Sequence, residues 1–232
     1  MIPTTDLLKI LRDGGILMYP IAFCSLVMLA FVFERLAVLR PRRIIPRAFV
    51  TRFLQQVREG ELDRDGALTL CEENASPVAE VFAGATRKWG RPAVEVEQAV
   101  LDAGERATNG LRRHLRVFSA VSTIAPLLGL LGTVFGMIQA FNAVAASDAL
   151  GRPELLAKGV SQALLTTAFG LTVAIPALLV YYLFVGRVDK LIVEIDALGQ
   201  ELVNLISAEE IQSRGEDSRP SKPRRTVRRE AA

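Results

Sequence analysis

Three long runs without a single charged residue, 14–33, 117–147 and 159–186, constrain this chain more than any other feature. A helix needs roughly 20 predominantly apolar residues to cross the hydrocarbon core of a bilayer. Each run is about that long or longer, so each predicts a transmembrane helix. The expected fold is therefore all-α: a polytopic membrane protein with three transmembrane helices, two of them long and extending into a cytoplasmic helical domain. Composition agrees, since half of the 232 residues are hydrophobic and the mean hydropathy is +0.30.

The first run exceeds the 7–15-residue apolar core of a signal peptide and is followed by the charged stretch FERLAVLRPRR, which reads as a stop rather than a cleavage site. Basic residues beside the spans then give the orientation. Lys9 and Arg12 precede span one, offset by Asp6 and Asp13, whereas Arg35, Arg40, Arg42, Arg43 and Arg47 follow it. Arg187, Lys190 and a basic tail follow span three. The N-terminus is expected outside, in the periplasm, with residues 35–116 and the C-terminus in the cytoplasm. The net charge of +3 thus belongs to membrane flanks and does not point to nucleic acid. Cys24 falls inside span one and Cys71 in the cytoplasmic part, so the two should not pair.

The expected organisation is an amphipathic helix at 1–13, spans at 14–34, 117–147 and 159–186, and a short periplasmic link at 148–158. A cytoplasmic helix at 187–212 and a disordered basic tail at 213–232 complete it. Residues 46–116 read as helices punctuated by Gly60, Ser76-Pro77 and Gly90-Arg91-Pro92. Phe49, Val50, Phe53, Leu54 and Val57 give the first an apolar face; Val94, Val96, Val100, Leu101, Ala107 and Leu111 give the last one. Nothing strongly breaks the stretch from Pro92 to Ala146, so one rod of about 80 Å is expected. His114 reads as an interfacial helix residue. The tail could stay solvated or touch anionic lipid.

Small and hydroxylated residues mark a seam along each of the last two spans. On span two it runs Ser119, Ser122, Pro126, Gly129, Thr133, Gly136, Ala140; on span three Gly159, Ala163, Thr167, Gly170, Ala174, Ala177, Tyr181. Such surfaces let helix backbones approach closely in lipid. Gln162 and Thr166 lie beside the second seam, one residue off. Neither span carries an Asp, Glu, Lys, Arg or His, the residues that ordinarily mark intramembrane ion pathways. Alone, the chain can form a polar-lined wall but cannot carry protons on a titrating side chain. Glu34 and Arg35, at the membrane border, can reach headgroups or pair with each other. No GxSxG, HExxH or phosphate-cradling loop is present, so the reading is not an enzyme, with neither metal nor cofactor.

Three blocks carry a family likeness: GGILMYPIAFCSLVMLAFVFERL at 14–36, APLLGLLGTVFGMIQAF at 125–141 and GVSQALLTTAFGLTVAIPALLVYY at 159–182. With them the chain resembles the MotA/TolQ/ExbB proton channel family, in its ExbB-like branch, over nearly all of residues 1–210. The resemblance implies a homo-oligomer, a ring of five subunits, in the bacterial inner membrane. That ring would surround single-span partners of the ExbD/TolR type, each carrying the membrane Asp that takes up and releases the ion, and a TonB-like protein could receive the work. It also implies that Thr133 and Thr167 face the ion path, with Thr166 and Gln162 beside them. Ser122, Pro126, Gly129, Gly136, Ala163, Gly170, Ala174 and Pro176 would serve helix packing and the partner-facing wall. Several relatives have Glu where Gln162 stands; Gln keeps the hydrogen bonding but cannot ionise. A non-conducting scaffold is the competing reading.

Overall fold

The structure, a computed structural model, describes residues 14–146 and 153–208. The expected helix at 1–13, residues 148–152 of the expected link and the basic tail lie outside the described residues, while 153–158, expected in the link, already belong to a helix. Eight helices and no strand occur among those described. They are α1 (Met18–Val38), α2 (Pro41–Ile44), α3 (Arg47–Glu59), α4 (Arg64–Asn74), α5 (Pro77–Thr86), α6 (Ala93–Arg112), α7 (Leu115–Ala146) and α8 (Pro153–Ile206). The fold is thus all-α. Three helices are long and apolar enough to cross a membrane: Met18–Val38, Leu115–Ala145 and Leu156–Ile206. The chain divides into two compact units, one of residues 1–40 with 109–190, the other of 41–108 with 191–232.

In the first unit, α1 packs on α7 and α8. Ile21 of α1 joins Val121, Ala125, Val173, Ala174 and Ala177 in a buried cluster, with Cys24, Met28, Val117, Leu128 and Phe169 around it. Much of the remaining apolar surface stays open, including Phe23, Leu26 and Phe33 on α1 and Leu164, Leu179 and Leu183 on α8. In hydrocarbon such surface carries no penalty, because lipid tails are as apolar as Leu. Helix α1 begins four residues later than expected, because Gly14 and Gly15 form a turn. Gly15 has φ +79°, a left-handed conformation that favours glycine, and its carbonyl accepts from Met18 N–H at 3.1 Å. The helix also continues through Glu34 and Arg35, since backbone pairing does not stop where the apolar run does.

The second unit follows the rules of water-soluble helices. Asp63 caps α4 by accepting from Gly66 N–H at 2.9 Å, and Ser76 caps α5 by accepting from Ala79 N–H at 3.3 Å, with Pro77 in the first turn. Phe53 and Phe82 are buried with ring centroids 5.0 Å apart, and Phe49 stacks on Phe53 at 5.5 Å. Val50, Leu54 and Val57 are buried as the apolar spacing predicts, as are Val96, Val100 and Ala107, but Val94 and Leu101 are exposed. The end of α8 is tied to the loop before α6. Gly90 N–H donates to Ile206 O at 3.0 Å, and Ala208 N–H donates to Arg91 O at 2.9 Å. Burial, with Glu72 beside it, pushes the Cys71 thiol up to about 12.

The rod expected from Pro92 to Ala146 is instead two helices. Helix α6 stops at Arg112, Arg113 and His114 form a turn, and α7 starts at Leu115. His114 is therefore a turn residue, not a helical one. No Pro or Gly marks this break, which is why the sequence did not announce it. The third span, by contrast, does run on without interruption to Ile206.

Candidate functional site in the membrane helices

The two seams of small residues mesh with each other inside one chain. A methyl group on Gly129 would lie 3.0 Å from Thr167 Cα, and one on Gly170 would lie 2.6 Å from Ala125 O. On Gly136 it would stand 2.9 Å from Ala163 Cβ; on Gly159 it would overlap Ala140. Glycine is required at these positions because backbone meets backbone there. Across the contact, Thr167 Oγ1 donates to Gly129 O at 3.0 Å. The small residues therefore first build the α7–α8 pair itself.

The four residues expected to share an ion path separate into two groups. Gln162 and Thr167 are five residues apart, which turns them about 140° from each other around α8. Thr167 and Thr133 are both half-buried, and Thr133 Oγ1 donates to Leu130 O of its own helix at 2.7 Å. Thr166 is only 1% exposed. Its hydroxyl lies 2.8 Å from Gln162 O and 3.1 Å from Gly14 O, so it ties α8 to the turn before α1. Gln162 reaches the same turn: a Cβ on Gly15 would overlap its Nε2. A side chain on Gly132 would likewise overlap Thr166. Gln162 and Thr166 thus meet the N-terminal turn, while Thr167 meets Gly129. Nothing but their being glycines in apolar runs marks Gly14, Gly15 and Gly132 for these roles in the sequence.

Two prolines lie within the spans, Pro126 in α7 and Pro176 in α8. Proline has no N–H, so the carbonyls of Ser122 and Thr172, four residues earlier, lose their ordinary helical donor. Pro126 and Ser122 are half-buried and Pro176 is exposed; Ala163 and Ala174 are buried. Ser122 Oγ donates to Ser119 O at 2.9 Å and Thr172 Oγ1 to Ala168 O at 2.8 Å. This wall offers hydroxyls and carbonyls, which can solvate a cation or water but cannot hold and release a proton near neutral pH. Among the described residues no cluster of His, Cys, Asp or Glu could hold a metal ion.

At the other end of the spans, Arg35 is buried at 3% exposure, not open to headgroups. Its Nη2 pairs with Glu34 Oε1 at 3.2 Å and contacts His114 Nδ1, and its Nη1 donates to Leu111 O at 3.4 Å. Arg187 Nε donates to Leu39 O at 3.3 Å, at the C-terminal end of α1, and Arg112 pairs with Asp189 at 2.6 Å. Cations at helix C-termini satisfy leftover carbonyls and complement the helix dipole.

The sequence profile of the MotA/TolQ/ExbB proton channel family matches residues 73–197. The chain belongs to that family. Among ExbB-like relatives, the biopolymer transport ExbB homolog of Methanothermobacter thermautotrophicus is 29% identical over 82% of this chain and 67% of its own length. A biopolymer transport protein ExbB-like 3 of Synechocystis is 30% identical over 72% of this chain and 79% of its own. The Tol-Pal system protein TolQ of Haemophilus influenzae is 26% identical over 78% of this chain and 80% of its own. Within the MotA/TolQ/ExbB family the chain is ExbB-like, a multi-pass membrane protein of a group that conducts protons rather than catalysing reactions.

Proposed function

We propose that this chain is the wall-forming subunit of a proton-driven stator, one that couples the proton-motive force to work in the periplasm or at the outer membrane. The observation that carries the reading is the absence of any Asp, Glu, Lys, Arg or His on residues 117–147 and 159–186. A family that conducts protons needs a group that gains and loses them, and here a second chain must bring it. A single-span partner of the ExbD/TolR type, with an Asp in its membrane helix, has the right chemistry. A ring of five copies in the bacterial inner membrane would enclose it, with the N-terminus periplasmic and the C-terminus cytoplasmic. The basic residues following spans one and three support that orientation.

Thr133 and Thr167 are the hydroxyls best placed to line the path. Gln162 and Thr166 serve it indirectly, by anchoring the turn that starts α1. ExbB-like energising of TonB-dependent transport is the first reading of the work done. A TolQ-like role in envelope maintenance is the second, favoured by the likeness to TolQ over 78% of this chain and 80% of that protein. Co-expression with the chromosomally adjacent single-span protein, followed by Thr133→Val and Thr167→Val, tests the ion path. Both variants should assemble yet lose proton-driven work. Retention of that work in both would remove the hydroxyls from the path, and robust selective proton leakage by the chain alone in liposomes would remove the need for a partner.

A further inference from the structure

Thr166 of α8 is held from two sides. Towards α7 its methyl group fills a notch that glycine leaves open, since a side chain on Gly132 would overlap Thr166 Cγ2 and Cβ. Towards α1 the one hydrogen of its hydroxyl has two acceptors within reach, Gln162 O at 2.8 Å and Gly14 O at 3.1 Å. A threonine can bond the carbonyl four residues back on any helix face. This one, however, is 1% exposed, and the Gly14 it meets is buried as well. One turn earlier on the same face, Gln162 closes over Gly15, where a Cβ would overlap its Nε2.

Thr166 and Thr167 are neighbours, so they point about 100° apart around α8. Thr167 is half-buried, and its Oγ1 donates to Gly129 O at 3.0 Å. The rest of the α7–α8 contact is made largely of Gly129, Gly136, Ala163 and Gly170, which set how closely the backbones approach. Smooth surfaces of that kind resist separation more than rotation. A stiff, branched side chain seated in a notch resists rotation, because a roll of the helix must drive it into its neighbour. We propose that Thr166 is a positioning residue for Thr167. Its methyl group, in the Gly132 notch, fixes the rotation of α8 at which Thr167 meets Gly129. Its hydroxyl holds the Gly14-Gly15 turn to the same point. The consequence for proton-driven work rests on the stator reading, in which Thr167 lines the path; the positioning itself does not.

The test reads threonine methyl signals of the full chain in lipid nanodiscs, with Thr167→Val assigning the Thr167 signal by deleting it. Thr166→Ser keeps the hydroxyl but empties the notch, and Gly132→Ala crowds an unchanged Thr166. Each should displace the Thr167 signal. The double variant, Thr166→Ser with Gly132→Ala, puts a methyl group back where one was removed and should return the signal to its wild-type position. A mere neighbour effect of Thr166→Ser on the signal would persist in the double variant. Thr166→Val keeps the notch filled but takes the donor from the buried Gly14 O. It should leave the Thr167 signal in place and raise amide exchange at Met18, whose N–H donates to Gly15 O at 3.1 Å. A Thr167 signal that ignores Gly132→Ala, or that stays displaced or absent in the double variant, would overturn the proposal. So would unchanged exchange at Met18 in Thr166→Val. These readouts need neither a partner nor ion flow. With the partner co-expressed, proton-driven work should fall in Thr166→Ser and Gly132→Ala and recover when they are combined. Should the signals behave as expected while that work is untouched in every variant, Thr167→Val included, only the stator reading falls.

Discussion

The two units of this chain are held together by opposite means. Residues 41–108 with 191–208 bury large side chains, such as Phe53, Phe82 and Leu202, and satisfy helix ends with Asp63 and Ser76. The membrane unit leaves many large side chains open and buries its smallest ones, Gly129, Gly136, Gly170 and Ala174, where backbones touch. Water rewards removal of apolar area, at about 25 cal/mol per Å². Lipid does not, so close van der Waals packing and hydroxyl-to-carbonyl bonds must supply cohesion there. Residue size therefore has reversed meaning in the two halves.

Phe82→Ala should give the largest effect, a loss of about 3–5 kcal/mol in the soluble-type unit, because it empties the centre of an aromatic cluster. Thermal unfolding in detergent, read by exchange at 47–86, checks it, and a shift confined to α7–α8 would break the comparison. The converse change, Gly170→Val, adds volume where a single methyl already meets Ala125 O at 2.6 Å. It should cost about 1–3 kcal/mol or more, seen as loss of protease resistance in α7 and α8.

Raising the pH sharpens the contrast, because the soluble-type unit holds a buried thiol, Cys71, whose pKa is raised by burial. With Cys71 at about 12 when folded and an ordinary value of 9.0, its stabilising contribution is whole below pH 9 and is lost as pH rises towards 12. By pH 10 that loss should be about 1 kcal/mol, and Cys71→Ala should flatten the slope. Thr167→Val deletes the bond to Gly129 O and should cost about 0.6 kcal/mol of membrane-unit stability, the mean for interhelical bonds in lipid. That is small enough that lost proton-driven work would reflect the hydroxyl rather than misfolding. The exposed pair of Arg58 with Glu201, at 2.9 Å, should matter least. Arg58→Ala is expected to change the melting of its unit by about 0.5 kcal/mol or less.

Much of this was legible in residue types with local meaning. Ser76-Pro77 announced a helix start and Gly60 a stop, and both stand where expected. The small-residue seams announced a close contact, though not with what. Their partners proved to be each other, and only three-dimensional packing could show that Thr167 takes Gly129 while Thr166 turns to Gly14. Arg35 was legible as a border charge beside Glu34 but not as a buried one, because Leu111 and His114, which it also meets, lie some eighty residues away along the chain.

The sequence by itself determined where the chain enters lipid, since an unbroken uncharged run has no other low-energy environment. It also determined that the second and third runs hold no Asp, Glu, Lys, Arg or His, since that depends on which groups exist and not on where they sit. Only the tertiary structure decided which hydroxyls stay at an edge and which are consumed as ties, and that one arginine bridges a helix break. Those outcomes depend on which faces meet, and helical periodicity specifies a face without naming its neighbour.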